Sequence, residues 1–119
     1  PRSIPATSLY EEVRGSPRFL LLDLRGEEVY AQGHVRCAFN FPPPDLMQHM
    51  DILPYDFPIV LISEDEQQAE KIASALAGIG YEQMMYLENG MKGWTYPLTT
   101  EDPLQCRKSG GGTSIYETR

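Results

Sequence analysis

The sequence predicts an α/β fold: a mostly parallel sheet covered by helices on both faces. Three observations carry this. The runs Phe19-Leu20-Leu21-Leu22 and Ile59-Val60-Leu61-Ile62 are short, wholly apolar and bounded by charged or polar residues, as strands buried on both faces are. A segment with apolar residues at helical spacing, Ala69, Ile72, Ala73 and Leu76, follows the second run directly. Glycine and proline punctuate the boundaries, so strands and helices alternate along the chain, and that order implies parallel pairing.

Taken in order, Thr7 or Ser8 is expected to cap a short helix through Val13, ended by Gly15-Ser16-Pro17. A strand through Asp23 follows, then one or two helical turns over residues 27–31, closed by Gly33. Phe39 begins a short strand stopped by Pro42-Pro43-Pro44, whose nitrogens cannot donate ladder hydrogen bonds. Residues 45–50 form a short helix. Pro58 introduces the clearest strand, residues 67–77 the longest helix, and Gly78 and Gly80 stop it. Residues 81–87 hold one more strand, Asn89-Gly90 turns, and residues 91–94 make a helical turn.

With 119 residues, 41% of them hydrophobic, the chain fits one domain around one core. The division expected is a domain over residues 1–104 and a flexible or partner-bound tail over 105–119, where Gly110-Gly111-Gly112 lies among residues with little to bury. No apolar run is long enough to cross a bilayer. No basic start leads into an apolar run, and the opening at Pro1 is read as that of a piece excised from a longer protein. Two cysteines, Cys37 and Cys106, are too few for a disulfide framework, so a reducing cytoplasmic setting is expected, with both thiols as packing residues and a single bridge the less favoured alternative.

The net charge is −7 overall, but −9 over residues 1–104 and +2 over 105–119. Between Arg36 and Lys71 there is no Lys or Arg, while Asp45, Asp51, Asp56, Glu64, Asp65, Glu66 and Glu70 all fall there. Such a field disfavours nucleic acid and anionic membranes. It favours basic protein partners, or serves as a solvated face that keeps the domain soluble.

Two stretches carry a recognisable pattern. Leu21-Leu22-Asp23-Leu24-Arg25, then Tyr30, Gly33-His34-Val35, Ala38 and Asn40, and later Gly80-Tyr81, Leu87, Gly90 and Trp94, resemble the signatures of the rhodanese family over about residues 4–98. The resemblance implies a rhodanese-like three-layer sandwich with a mostly parallel five-stranded sheet. Asp23, Arg25, Gly33, His34, Gly90 and Trp94 are the family's structural signature. Asp23 and Arg25 are expected to tie strand to loop, Tyr30 and Trp94 to pack in or near the core, and His34 to satisfy backbone groups at a turn.

The same resemblance places the family's catalytic cysteine position at Ser63 and its six-residue loop at Ser63, Glu64, Asp65, Glu66, Gln67 and Gln68. Active members carry a sulfane sulfur as a persulfide on that cysteine, cradled by backbone N–H groups at the start of the next helix. A serine hydroxyl lacks the acidity and sulfur affinity of a thiol. The loop's usual glycine and arginine fall on Glu66 and Gln68, and three carboxylates would face an incoming anion. An engineered cysteine-to-serine change would have left that glycine and arginine in place.

The expectation is therefore a pseudo-enzyme, with no catalytic residues, no cofactor and no metal, that acts as a protein-interaction or structural module. The loop is similar in character to the degenerate rhodanese domain of a centrosomal and ciliary protein linked to tubulin polyglutamylation. That narrower resemblance implies a cytoplasmic protein of a cilium or centrosome and a microtubule-associated protein partner. The alternative is a sulfurtransferase working through a displaced thiol at Cys37, which stands where the family usually has glycine, or at Cys106. His34 with Cys37 makes at most half of a zinc site, and Glu64-Asp65-Glu66 lacks the spacing of a calcium loop.

Overall fold

The computed structural model describes residues 1–109, with side chains described as far as Cys106. The chain runs β1 (Arg2–Ile4), α1 (Ala6–Arg14), β2 (Leu20–Asp23), α2 (Glu27–Gln32), β3 (Phe39–Asn40), α3 (Pro43–Gln48), a 3-10 turn (Met50–Ile52), β4 (Ile59–Ile62), α4 (Glu66–Gly78), β5 (Met84–Leu87), a second 3-10 turn (Met91–Gly93) and α5 (Pro103–Ser109). The five strands form one sheet in the order β1-β5-β4-β2-β3, every pair parallel.

Alternation along the central strands sorts the core into two layers. Leu22, Ile59, Leu61, Met84 and Tyr86 point to one face, where α3 and α4 supply Leu46, Ala69, Ala73 and Leu76. Leu21, Val60, Ile62 and Leu87 point to the other, against Leu9 and Val13 of α1 and Cys106 of α5. A strand buried on both faces cannot show polar alternation, which is why β4 reads as an unbroken apolar run. Among the described residues no helix is long and apolar enough to cross a membrane.

Several boundaries differ from the sequence reading. Helix α1 starts at Ala6 with Pro5 as its N-cap and no side-chain cap, so Thr7 and Ser8 lie inside it. Pro43 and Pro44 do not merely stop β3 but open α3, where a missing N–H is no loss because first-turn N–H groups have no partner. Tyr81 lies outside β5: its buried ring stacks on Tyr55 at 4.2 Å and its hydroxyl donates to the Met50 carbonyl at 2.9 Å. Tertiary packing claims this aromatic before the ladder begins. The edge strand β1 has no strong sequence signal, being three residues long and largely exposed.

The two cysteines are joined by a disulfide across 69 residues of sequence. Cys37 has φ +79°, the left-handed region that favours glycine, so the cross-link comes with a strained backbone at its first end. The bridge ties α5 to the turn that leads into β3, and Arg36 adds a hydrogen bond from Nη2 to the Cys106 carbonyl at 3.3 Å. The expectation of unpaired packing thiols is thereby corrected. The tail boundary expected at Gln105 falls inside α5, and residues 110–119 lie outside the described residues.

Candidate functional site

Parallel α/β sheets present their functional loops beyond the carboxyl ends of the strands, at the point where successive crossovers change direction. Here that point lies between β2 and β4, which are neighbours with Asp23 opposite Ile62. Beyond these two ends come Leu24-Arg25 and Ser63. The sequence signature and the loop therefore meet at one place.

On the β2 side, Asp23 is fully buried and receives Arg25 four ways: the Arg25 backbone N–H and Nε to Oδ1 at 2.9 and 3.1 Å, and Nε and Nη2 to Oδ2 at 3.1 and 2.9 Å. Arg25 Nη2 also donates to the Gly33 carbonyl at 2.9 Å, and Asn40 Nδ2 bridges the carbonyls of Asp23 and Arg25. Strand end, loop and α2 terminus are held as one unit, as expected for this pair. Tyr30 donates its hydroxyl to the Ala38 carbonyl and stacks on His34 at 4.0 Å. Burial first, then the Asp23 and Asp102 carboxylates, push the Tyr30 phenol up to about 12 against the opposing pull of Arg25, so it remains a donor throughout the neutral range.

His34 is buried and does satisfy backbone groups: its N–H and carbonyl pair with Thr99 at 2.9 and 2.8 Å, and Nδ1 donates to Val35 O at 3.1 Å. Trp94 packs edge-on against Tyr10 and Tyr96, whose rings stack at 4.2 Å. Both residues act in packing.

On the β4 side, the loop is shorter than expected. Only Ser63, Glu64 and Asp65 lie between β4 and α4, while Glu66, Gln67 and Gln68 already form the first turn of the helix. Ser63 is fully buried; its hydroxyl donates to the Asp65 carbonyl and accepts from the Ala69 N–H at 3.0 Å. Its proton and an accepting lone pair are thus both used by the main chain of its own loop and helix.

The carboxylates do not line an open anion cradle as the sequence implied. Asp65 is the N-cap of α4 and accepts from the Gln68 N–H at 3.4 Å. Glu66 reaches across to the Asn89 N–H at 2.7 Å. Carboxylates at a helix start are stabilised by its positive end, so the chain supplies there the negative charge that a bound anion would otherwise bring. Of the three, Glu64 is exposed, while Asp65 and Glu66 are half-buried.

The loop is also closed from the other side. Met91 N–H donates to the Ser63 carbonyl at 2.9 Å and Lys92 N–H to the Glu64 carbonyl at 3.1 Å. Gly90 makes this approach possible: at φ +62°, ψ −166° it occupies a region essentially reserved for glycine, and a Cβ would lie 2.6 Å from the Glu64 carbonyl oxygen. Gly90→Ala is accordingly expected to destabilise the domain by about 2–4 kcal/mol and to lower Tm by about 10 °C or more, read in a thermal melt. The close backbone approach explains the residue type.

Among the described residues no group of three or more His, Cys, Asp or Glu side chains is placed to hold a metal ion. The sequence reading missed that two cysteines 69 residues apart meet in a bridge. The signal available was Cys37 at a position where a glycine is usual. An apolar cleft of about 320 Å³ adjoins that bridge, lined in part by Phe19, Leu20, Phe39, Phe57 and Leu104. It opens at the amino ends of the strands, the opposite end of the sheet from Ser63.

The rhodanese-like domain family matches residues 6–96. The chain belongs to this family. Among relatives of this rhodanese-like chain, centrosomal protein of 41 kDa B from Xenopus laevis is 32% identical over 100 residues, which are 76% of this chain and 27% of that protein. The chain thus spans about a quarter of the length of that centrosomal relative. Thiosulfate sulfurtransferase GlpE from Tolumonas auensis is 27% identical over 85 residues, covering 70% of this chain and 80% of that protein. A crystal structure of a rhodanese-related protein from Thermoplasma volcanium superposes with a TM-score of 0.73 at 25% identity, over 85% of this chain and all of the other.

Proposed function

We propose that this rhodanese-like domain is a non-catalytic module that binds another protein within a larger centrosomal or ciliary assembly. The observation that carries the reading is the loop after β4. Where the family resemblance calls for a thiol, it has Ser63, buried and hydrogen-bonded to its own main chain. Asp65 and Glu66 occupy N–H groups around the α4 start, and like charge there opposes an incoming thiosulfate. Similarity to centrosomal proteins supports a centrosomal setting, in which any contact with microtubules runs through a partner or the basic tail, since the acidic body would be repelled by an acidic polymer surface.

A sulfurtransferase is the second reading, favoured by the similarity to GlpE. It would need Cys37 or Cys106 as nucleophile. These are joined to each other, and neither holds a thiolate while the bridge is intact.

The deciding experiment is thiosulfate-to-cyanide sulfur transfer by the purified domain at high concentration, with mass spectrometry for an adduct of about 32 Da, one sulfur. The expected rate is that of buffer, with no adduct. Ser63→Cys is expected to leave the rate near that level, because it restores a thiol but not an anion cradle. Turnover by the parent domain that disappears on Cys37→Ser or Cys106→Ser would establish the sulfurtransferase reading instead.

A further inference from the structure

From α3 to the start of β4 the chain exposes side chains that usually go inside. Met47 and Ile52 are each 67% exposed, Tyr55 57% and Phe57 42%, and Ile79 at the end of α4 is 55% exposed. Tyr55 joins the two segments: its ring lies 3.3 Å from where a Cβ on Gly80 would sit, beside Ile79. An exposed apolar group of this kind on a single domain marks an interaction surface more often than chance.

This surface stands on a fixed frame. Leu46 and Leu53 are buried beneath it, the Tyr81 hydroxyl holds the Met50 carbonyl at 2.9 Å, and Gln83 Nε2 holds the Asp56 carbonyl at 3.3 Å. The exposed side chains are therefore presented with little backbone entropy left to lose on binding. Asp45, Asp51 and Asp56 are exposed among them, and no Lys or Arg occurs between Arg36 and Lys71.

Resting on the protein-binding reading above, we infer that Met47, Ile52, Tyr55, Phe57 and Ile79, rimmed by Asp45, Asp51 and Asp56, dock a basic amphipathic helix of a partner protein. Apolar side chains of the helix cover the centre, and flanking Lys or Arg meet the aspartates. The sheet edges are β1 and β3, which hold none of these residues, and the N–H groups of Leu46, His49, Ile52 and Leu53 are taken up by the turns of α3 and the 3-10 segment, so side chains and not strand addition make the contact. A second copy of this chain fits poorly, because a two-fold contact through this patch would bring the same aspartates against each other.

The test uses isotope-labelled protein and a synthetic helical peptide of about five turns with leucines on one face and lysines on the other. The expected result is chemical-shift change centred on residues 45–57 and 78–83, weakening as salt rises from ~0.05 to ~0.5 M. Ile52→Ser with Tyr55→Ser should weaken binding about tenfold or more, and Asp51→Lys with Asp56→Lys should do likewise. Both pairs change exposed residues, and a thermal melt of each checks that the fold persists. Three results would overturn the inference: no shift in this region at millimolar peptide, shifts spread over the acidic surface that survive the Ile52 and Tyr55 changes, or equal binding of a glutamate-for-lysine peptide. Concentration-dependent broadening of the same residues without peptide would also overturn it, by assigning the patch to self-association. Sulfur transfer measured on the same samples separates the claims: a rate at background with no peptide binding removes this surface and leaves the non-catalytic reading standing.

Discussion

Replacing Asp23 with alanine is expected to lower the stability of the domain by about 3–5 kcal/mol. The carboxylate is fully buried and the Arg25 side chain is 8% exposed, so the substitution leaves a guanidinium in a poorly hydrated place with its principal partner gone. The damage spreads because Arg25 also holds the Gly33 carbonyl, and Asn40 spans the carbonyls of Asp23 and Arg25. Urea unfolding of the single variants and of Asp23→Ala with Arg25→Met measures the coupling. The double variant should recover part of the loss, since it leaves no buried charge unpaired, and only part because the Arg25 backbone N–H and the Gly33 carbonyl lose these partners. A single-variant loss below about 1 kcal/mol would show that water reaches the pair and that it behaves as a surface bridge.

Reduction of the Cys37–Cys106 bridge should cost a comparable amount. Closing a loop of 69 residues restricts the unfolded chain, and the chain-entropy treatment gives about 4 kcal/mol for a loop of this size. Guanidinium titrations with and without a dithiol, repeated on Cys37→Ser with Cys106→Ser, measure it. Helix α5, seven residues long, is too short to persist unaided, so its amides should exchange with solvent faster in the reduced protein while those of β2 and β4 change less. Identical midpoints with and without reductant would mean that packing alone carries α5.

Much of the fold and site was legible because its signals are local. The apolar runs of β2 and β4 announce burial on both faces, Ala69, Ile72, Ala73 and Leu76 mark the inner side of α4, and the glycines mark ends. The tie between Asp23 and Arg25 was readable because residues two apart at a strand end can meet without help from the rest of the chain. The loop was legible in residue type and not in shape. That Glu66 would reach the Asn89 N–H, or that Gly90 would bring its backbone against Glu64, depends on segments more than twenty residues apart in sequence.

The sequence by itself determined the α/β class, the rhodanese-like signature, the serine after β4 and the acidic stretch between Arg36 and Lys71. Periodicity, residue chemistry and charge are properties of short windows, and nothing distant has to be known to read them. Only the tertiary structure decided that Ser63 is buried in its own hydrogen bonds, that two cysteines 69 residues apart form one bridge, and that the Tyr55 ring packs against Gly80 and Tyr81. Those outcomes depend on which distant segments the parallel crossovers bring together, and spatial proximity between them is set by the sheet order.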